Sequence, residues 1–260
     1  MTYTAKRRTF LVTGVSVAMV LAGAAPAAAI SGGKQATGVY PFMASLQQSD
    51  GTHFCGGTLI RPQWIVTAKH CVLDRDGNPK DPAKIRVRLG SDNRTQGGEI
   101  RHGARIEPDP VADSDLALLK LDTPSRRTPA ALPRTELSPG DAVRTIGWGD
   151  HELPENPGDP WPPPPIQLRQ LDSRLLDPAR CLGMSGEPMS PGELCMAALP
   201  GAGKWPQTTR AGDSGGPLLK RANGIWTVHG AVSRGTRDQH GVYGSVHGAL
   251  RWIKDTLRRN

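Results

Sequence analysis

The chain has 260 residues, 37% of them hydrophobic and 5% aromatic, which is enough to bury one large core or two smaller ones. It carries 32 Lys and Arg against 24 Asp and Glu, for a formal charge of +8. The basic residues are scattered, with no basic helix and no interleaved aromatics. This pattern argues against nucleic acid as a partner and favours a solvated surface.

The first 29 residues predict an export signal. A basic start at residues 6–8 precedes an apolar run over 9–23, and small residues end at Ala27-Ala28-Ala29. The run is too short for a stop-transfer helix, and no other stretch is apolar enough to span a membrane. The paired arginines fit twin-arginine export or the ordinary route equally. We therefore expect a secreted chain that starts at Ile30, with no membrane association after signal removal.

From Ile30 onward, short apolar segments alternate with turns, as is typical of β-barrels or a sandwich. One helix is predicted over 246–257, with Leu250, Ile253 and Leu257 on one face. Residues 151–165 include four consecutive prolines and predict a stiff extended loop, either a connection or a binding surface. The strand candidates are 42–46, 57–60, 64–67, 85–89, 116–121, 142–146, 217–219 and 226–232.

The strongest chemical signal is the run Gly212-Asp213-Ser214-Gly215-Gly216-Pro217. Glycines on both sides allow a tight turn that raises the Ser214 hydroxyl, so Ser214 is the candidate nucleophile. The same turn can aim the N–H groups of Gly212 and Ser214 at one point, as an oxyanion hole requires.

A serine nucleophile requires a base, and the base requires a group that orients it. His70 is the candidate base because it follows the apolar strand 64–67 and precedes Cys71, which can hold it in place. The other six histidines lie in polar or turn contexts and are interpreted as ordinary side chains. Asp115 opens a buried strand and is the candidate orienting acid, with Asp113 as a nearby rival.

In the order His, Asp, Ser, these residues resemble the chymotrypsin-like or trypsin-like serine endopeptidases. The resemblance covers the chain from Ile30 onward and implies an all-β fold of two six-stranded antiparallel β-barrels. The active site then lies between the barrels, and a C-terminal α-helix packs outside. The matching segments are 30–33, 54–60, 67–71, 115–121, 147–149, 212–217, 233–235 and 241–243.

This resemblance implies a signal peptide over 1–29 and one protease domain over 30–260, with the two lobes meeting at about 125–140. Ser214 then attacks a peptide carbonyl, His70 transfers the proton and Asp115 fixes the imidazole. The expected partners are polypeptide substrates and protein protease inhibitors. A monomer is expected, with no metal or organic cofactor.

Four cysteines permit three pairings. The family pattern implies the pairs Cys55 with Cys71 and Cys181 with Cys195. A metal site built from these cysteines lacks nearby histidines at a suitable spacing.

In the family, a newly freed N-terminal amine pairs with the aspartate before the nucleophile, here Ile30 with Asp213. The chain has no Lys or Arg between Arg8 and Ile30, so no trypsin-like activation site exists. We expect signal removal itself to create the active N-terminus.

In trypsin-like members, an aspartate six positions before the nucleophile selects substrates with Lys or Arg before the cut bond. Here that position is Thr208, so a trypsin-like preference is not expected. Arg210 stands where the family often has a cysteine, and Arg234 replaces the usual tryptophan. Two alternatives stay open: the arginines favour an acidic or polar side chain, or they face solvent and the pocket takes larger apolar groups. The expected pocket residues are Thr208, Thr209, Ser233, Arg234, Gly235 and Gly241.

A second hypothesis comes from another functional class. Some relatives are catalytically silent binding proteins on the same fold, and Lys69 together with the altered pocket keeps that alternative open.

Overall fold

The computed structural model describes residues 1–2, 30–152, 154, 159–201 and 205–259. Nearly all of the predicted export signal lies outside these described residues, as do five residues of the proline-rich stretch. Within the described part, no helix is long and apolar enough to cross a membrane.

Six antiparallel strands close the first barrel, in the order β2-β3-β4-β7-β6-β5. A two-residue strand, β1 (Lys34–Gln35), precedes them and joins the second sheet. The barrel strands are β2 (Met43–Gln47), β3 (His53–Arg61), β4 (Trp64–Thr67), β5 (Arg86–Leu89), β6 (Glu99–Pro108) and β7 (Ala117–Leu121).

The second barrel runs β8-β9-β10-β13-β12-β11 and closes where β11 pairs with β8. The two closed barrels confirm the predicted all-β fold. The strands are β8 (Ala142–Gly147), β9 (Arg169–Leu176), β10 (Glu193–Met196), β11 (Pro217–Ala222), β12 (Ile225–Gly235) and β13 (Gly241–Ser245).

Helices are few and short in the described chain. α1 (Lys69–Val72) follows β4, and 3₁₀ turns cover Pro82–Lys84 and Pro178–Arg180. The C-terminal helix α2 (Leu250–Arg258) begins four residues later than predicted, because residues 246–249 form a turn instead. Ile253 on its inner face is fully buried in the larger core cluster.

Two large hydrophobic clusters stabilise the barrels. The larger one fills the first barrel and extends to Trp148, Leu219 and Val228 of the second half of the chain. The smaller one lies inside the second barrel and includes Ile30 and Tyr243. Since the larger cluster crosses between the barrels, the cleft that separates them has a packed floor.

Two disulfides are present, Cys55–Cys71 and Cys181–Cys195, the pairs that the family resemblance implied. The first joins β3 to α1, and the second joins β10 to the 3₁₀ turn that precedes it. Their paired cysteines lie 16 and 14 residues apart in the sequence. Short loops of this size are worth about 3 kcal/mol each in chain entropy.

Candidate active site

The turn that carries Ser214 is held by both barrels. Gly212 and Gly215 have φ values of 90° and 76°, which side chains other than glycine rarely adopt. The Ser214 carbonyl accepts a hydrogen bond from the N–H of Gly56 in β3, at 2.7 Å. The N–H of Gly215 donates to the carbonyl of Val232 in β12, at 2.8 Å. The turn is therefore fixed at the boundary of the two barrels.

His70 lies in α1, directly after β4, and this segment packs against the serine turn. A Cβ added at Gly215 would stand 3.0 Å from the Ala68 nitrogen, so only glycine fits there. The disulfide from Cys71 ties the next residue to β3. The segment directly before His70 therefore lies against the turn that carries Ser214.

Asp115 binds His70 twice. Its Oδ2 accepts a 2.8 Å hydrogen bond from the imidazole Nδ1, and its Oδ1 accepts the His70 backbone N–H at 3.1 Å. Burial alone would raise the pKa of Asp115, but its hydrogen bond and charge interaction with His70 hold the pKa below its usual value. Asp115 is therefore ionised and fixes the ring orientation, whereas its rival Asp113 is exposed.

A third group contacts Asp115 from the second barrel. The register of β12 against β13 shifts between Val232 and Arg234, which leaves Ser233 as an extra residue in the ladder. A hydrogen bond from the Ser233 hydroxyl also lowers the pKa of Asp115. The bulge therefore directs a side chain from the second barrel to a carboxylate of the first.

The candidate nucleophile and the candidate base are not hydrogen-bonded to each other. Among the described residues, no hydrogen bond joins the Ser214 hydroxyl to His70. Such contacts are often loose before substrate arrives and tighten in the complex.

Asp213 lies beneath the turn and is 1% exposed. Its carboxylate accepts the N–H groups of Gly149 and Arg210, at 2.8 and 2.9 Å. Burial raises its pKa to about 7. Ile30 is fully buried in the second barrel with a φ of 50°. Among the described residues, no ion pair joins Ile30 to Asp213, and in the uncleaved sequence the Ile30 nitrogen is a peptide amide.

Sequence reasoning missed His53. Its Nδ1 bonds the Ser45 hydroxyl at 2.8 Å, and its Nε2 bonds the carbonyl oxygen of Gly212 at 3.0 Å. The ring also meets Trp148 edge-on, with centroids 5.6 Å apart. A first-barrel histidine therefore holds the turn of the second barrel that carries Ser214. The only sequence signal was its position two residues before Cys55.

The expected floor of the primary pocket is buried and neutral. Thr208 is 3% exposed, and its hydroxyl has no hydrogen-bond partner among the described residues. Its backbone N–H donates to Ser31. Thr209 is 8% exposed, and its hydroxyl lies close to Gly241.

Both arginines near the pocket are bound to other side chains. The Arg234 guanidinium makes a two-point ion pair with Glu193, whose side chain is 5% exposed. Arg210 donates to the Gln239 side chain at 2.9 Å and stacks on Trp205. Neither cation is a free counter-ion for an acidic substrate side chain.

One group of potential metal ligands occurs in the described residues, formed by Cys55, His70 and Cys71. The two sulfurs are bonded to each other, so they offer no thiolate to a metal. This cluster therefore does not constitute a metal site.

The chain was compared with known protein families. The family described as Trypsin matches residues 29–253, which is most of the chain.

Proposed function

The chain belongs to the trypsin family, and on that premise we propose that it is a secreted serine endopeptidase that cleaves polypeptides through an acyl-enzyme. The observation that carries the proposal is the two-point contact of Asp115 with His70, beside the Ser214 turn.

In the proposed mechanism, the Ser214 hydroxyl attacks the scissile carbonyl while His70 Nε2 takes its proton. The tetrahedral oxyanion accepts the N–H groups of Gly212 and Ser214. His70 then gives its proton to the leaving amine, which departs and leaves an ester on Ser214. Water repeats the sequence and frees the acid. Asp115 keeps Nδ1 protonated throughout, so that Nε2 is the basic nitrogen.

Substrate backbone has a natural place to bind. β11 pairs with β12 only as far as Ala231, and no strand in the described chain pairs with the same edge of residues 233–235. An extended peptide can add to such an edge through main-chain hydrogen bonds. We propose that the residues before the scissile bond bind there, next to Ser214.

For the side chain before the scissile bond, we propose a large neutral group. Arg210 and Arg234 are occupied by Gln239 and Glu193, which favours the second of the two alternatives left open by the sequence. The Thr208 hydroxyl is buried without a partner and would gain one from a tyrosine phenol. Tyrosine is therefore expected to exceed phenylalanine, and both to exceed glutamate and lysine.

We further propose that signal removal before Ile30 frees an amine that pairs with Asp213 and completes the oxyanion turn. The protein would then act outside the cell as a monomer, with no cofactor or membrane association, and protein protease inhibitors would compete for the cleft. Its lobes would meet at about 125–140 within one domain over 30–260.

The decisive experiment is covalent titration of the secreted protein with an organophosphonate or sulfonyl fluoride, read by intact mass. We expect one adduct per chain, located on Ser214, and none in Ser214→Ala. The same substitution should lower peptide turnover roughly a million-fold. A folded wild-type protein that neither reacts nor cleaves would instead support the catalytically silent binding protein.

Specificity is tested separately with peptides that differ only at the residue before the cut bond. Preference for glutamate or aspartate would overturn the neutral pocket while leaving the endopeptidase proposal intact.

A further inference from the structure

The segment before the nucleophile and the loop between β12 and β13 are joined by one polar side-chain pair. We propose that Arg210 and Gln239 form a clamp that holds these two segments together and so positions the substrate pocket and the oxyanion turn. This inference rests on the proposed function. Arg210 Nη2 donates to Gln239 Oε1 at 2.9 Å, and both side chains are partly buried.

Arg210 is connected to the catalytic turn through its own backbone. Its N–H donates to the Asp213 carboxylate at 2.9 Å, and its carbonyl accepts the Asp213 N–H at 3.0 Å. Asp213 precedes Ser214 and follows Gly212, whose N–H is a proposed oxyanion donor. A displacement of the Arg210 side chain is therefore passed to the oxyanion hole within three residues.

Gln239 is held in position by its loop. The turn closes through the Gln239 N–H to Thr236 and the Thr236 N–H to His240, at 2.9 and 3.0 Å, and Thr236 is 3% exposed. Gln239 itself has a φ of 63°, a strained value for a residue with a side chain. Such strain persists where the surroundings fix the conformation, and here it presents the amide to Arg210.

The Arg210 side chain has its own support. Its guanidinium lies 5.9 Å from the Trp205 ring centroid, a stacking distance for a cation on an aromatic face. Arg210 thus lies between an aromatic ring and an amide acceptor, and its planar shape suits both contacts better than lysine would. The chain has no free cysteine among its described residues, so a covalent link is not an alternative at this point.

The experiment is a double-mutant cycle on the secreted enzyme with Arg210→Met, Gln239→Met and the double variant. We expect each single substitution to lower kcat/KM on peptides about tenfold. The double variant should be no worse than either single one, because the same interaction is lost. Gln239→Glu keeps an acceptor for the guanidinium and should stay within about twofold of wild type.

Two further measurements separate positioning from folding. Organophosphonate titration should still count one reactive Ser214 per chain in every variant. Gln239→Gly relieves the backbone strain but removes the amide, so it should stay folded and lose the same activity as Gln239→Met. Arg221→Met, on the β11–β12 hairpin, removes a comparable stack on Trp226 and should leave activity unchanged.

Multiplicative losses in the double variant, or single variants with wild-type kcat/KM, would overturn the clamp. A wild-type enzyme that does not react with the organophosphonate would instead overturn the proposed function, so the two failures are distinguishable.

Discussion

At the scale of single residues, the candidate site is built from side chains that hold one another in pairs. Asp115 fixes His70, and Ser233 contacts Asp115. His53 likewise holds the Gly212 carbonyl through a hydrogen bond. These contacts join distant parts of the sequence.

Ser233→Ala removes one hydroxyl from the Asp115 carboxylate. A hydrogen bond to a charged group is worth about 1.5 kcal/mol, so we expect kcat to fall about tenfold with little change in KM. Steady-state kinetics on a peptide substrate measure this. Ser233→Thr keeps the hydroxyl and is the matched control. If KM rises while kcat is kept, Ser233 binds substrate and does not support the carboxylate.

Because His53 is buried, we expect the free energy of unfolding to fall in acid. Burial lowers its pKa from 6.5 to about 4, so the unfolded chain binds the proton more tightly than the folded one. Its neutral form therefore stabilises the protein above pH 6.5, and that contribution is lost as the pH falls towards 4. The loss amounts to about 3 kcal/mol.

This dependence is measurable by chemical denaturation at pH 7, 5.5 and 4. His53→Gln offers a donor at a similar reach and does not titrate, so its stability should change less across the same window. Equal pH dependence in both proteins would show that other groups, such as His229, are responsible.

At the scale of elements, the buried guanidinium of Arg88 organises the loop between β5 and β6. Arg88 is 8% exposed and donates to the carbonyls of Thr95 and Gly97. Asn93 accepts two backbone N–H groups, from Thr95 and Gln96, in the same loop. An internal guanidinium thus supplies hydrogen-bond donors to two carbonyls of the loop.

Arg88→Met should destabilise this loop by about 2 kcal/mol, because buried carbonyls lose a charged donor. Thermal melting measures the change, and limited proteolysis should locate it to residues 91–98. Arg61→Met, at the exposed end of β3, is the control. A melting temperature equal to that of the wild-type protein would contradict this role of Arg88.

The sequence predicted best the strands that contain an unbroken run of apolar residues. Trp64–Thr67 has the predicted bounds, and β7 differs from its prediction by one residue. Strands β1, β6, β9, β10 and β13 were missed. Glu99–Pro108 and Arg169–Leu176 carry many polar residues, so neither contains a continuous apolar run. Their pairing is a property of barrel closure, which no local pattern encodes.

The same limit applies to the site. Motifs of adjacent residues pointed to Ser214, His70 and Asp115 as candidates, since each lies in a recognisable local context. The contacts of His53, Arg88 and Gln239 depend on which distant segments meet. Gln239 in particular had no sequence signal, since neither its left-handed backbone nor its arginine partner can be read from neighbouring residues.

At the scale of the whole molecule, Ile30 is part of the second core. Ile30 is fully buried there, and the Asp213 carboxylate is buried as well. In the chain that has not been cleaved before Ile30, Asp213 has a pKa of about 7 and is partly protonated near neutral pH. A free amine would stabilise its ionised form.

We therefore expect a chain that starts at Ile30 to be active, and the same chain with two extra alanines before Ile30 to be at least a hundredfold less active. Peptide turnover and N-terminal sequencing of both proteins check this. Asp213→Asn in the chain that starts at Ile30 should show a similar loss. Equal activity with and without the extension would remove the amine from the mechanism.

The contact between Trp148 and His53 has an optical consequence. A protonated imidazole quenches indole emission more strongly than a neutral one, and these two rings lie edge to face, 5.6 Å apart. The tryptophan fluorescence of this protein should therefore dim on acidification while the chain is still folded. Tryptophan emission should therefore report the charge of His53, whose ring is bonded to the Gly212 carbonyl.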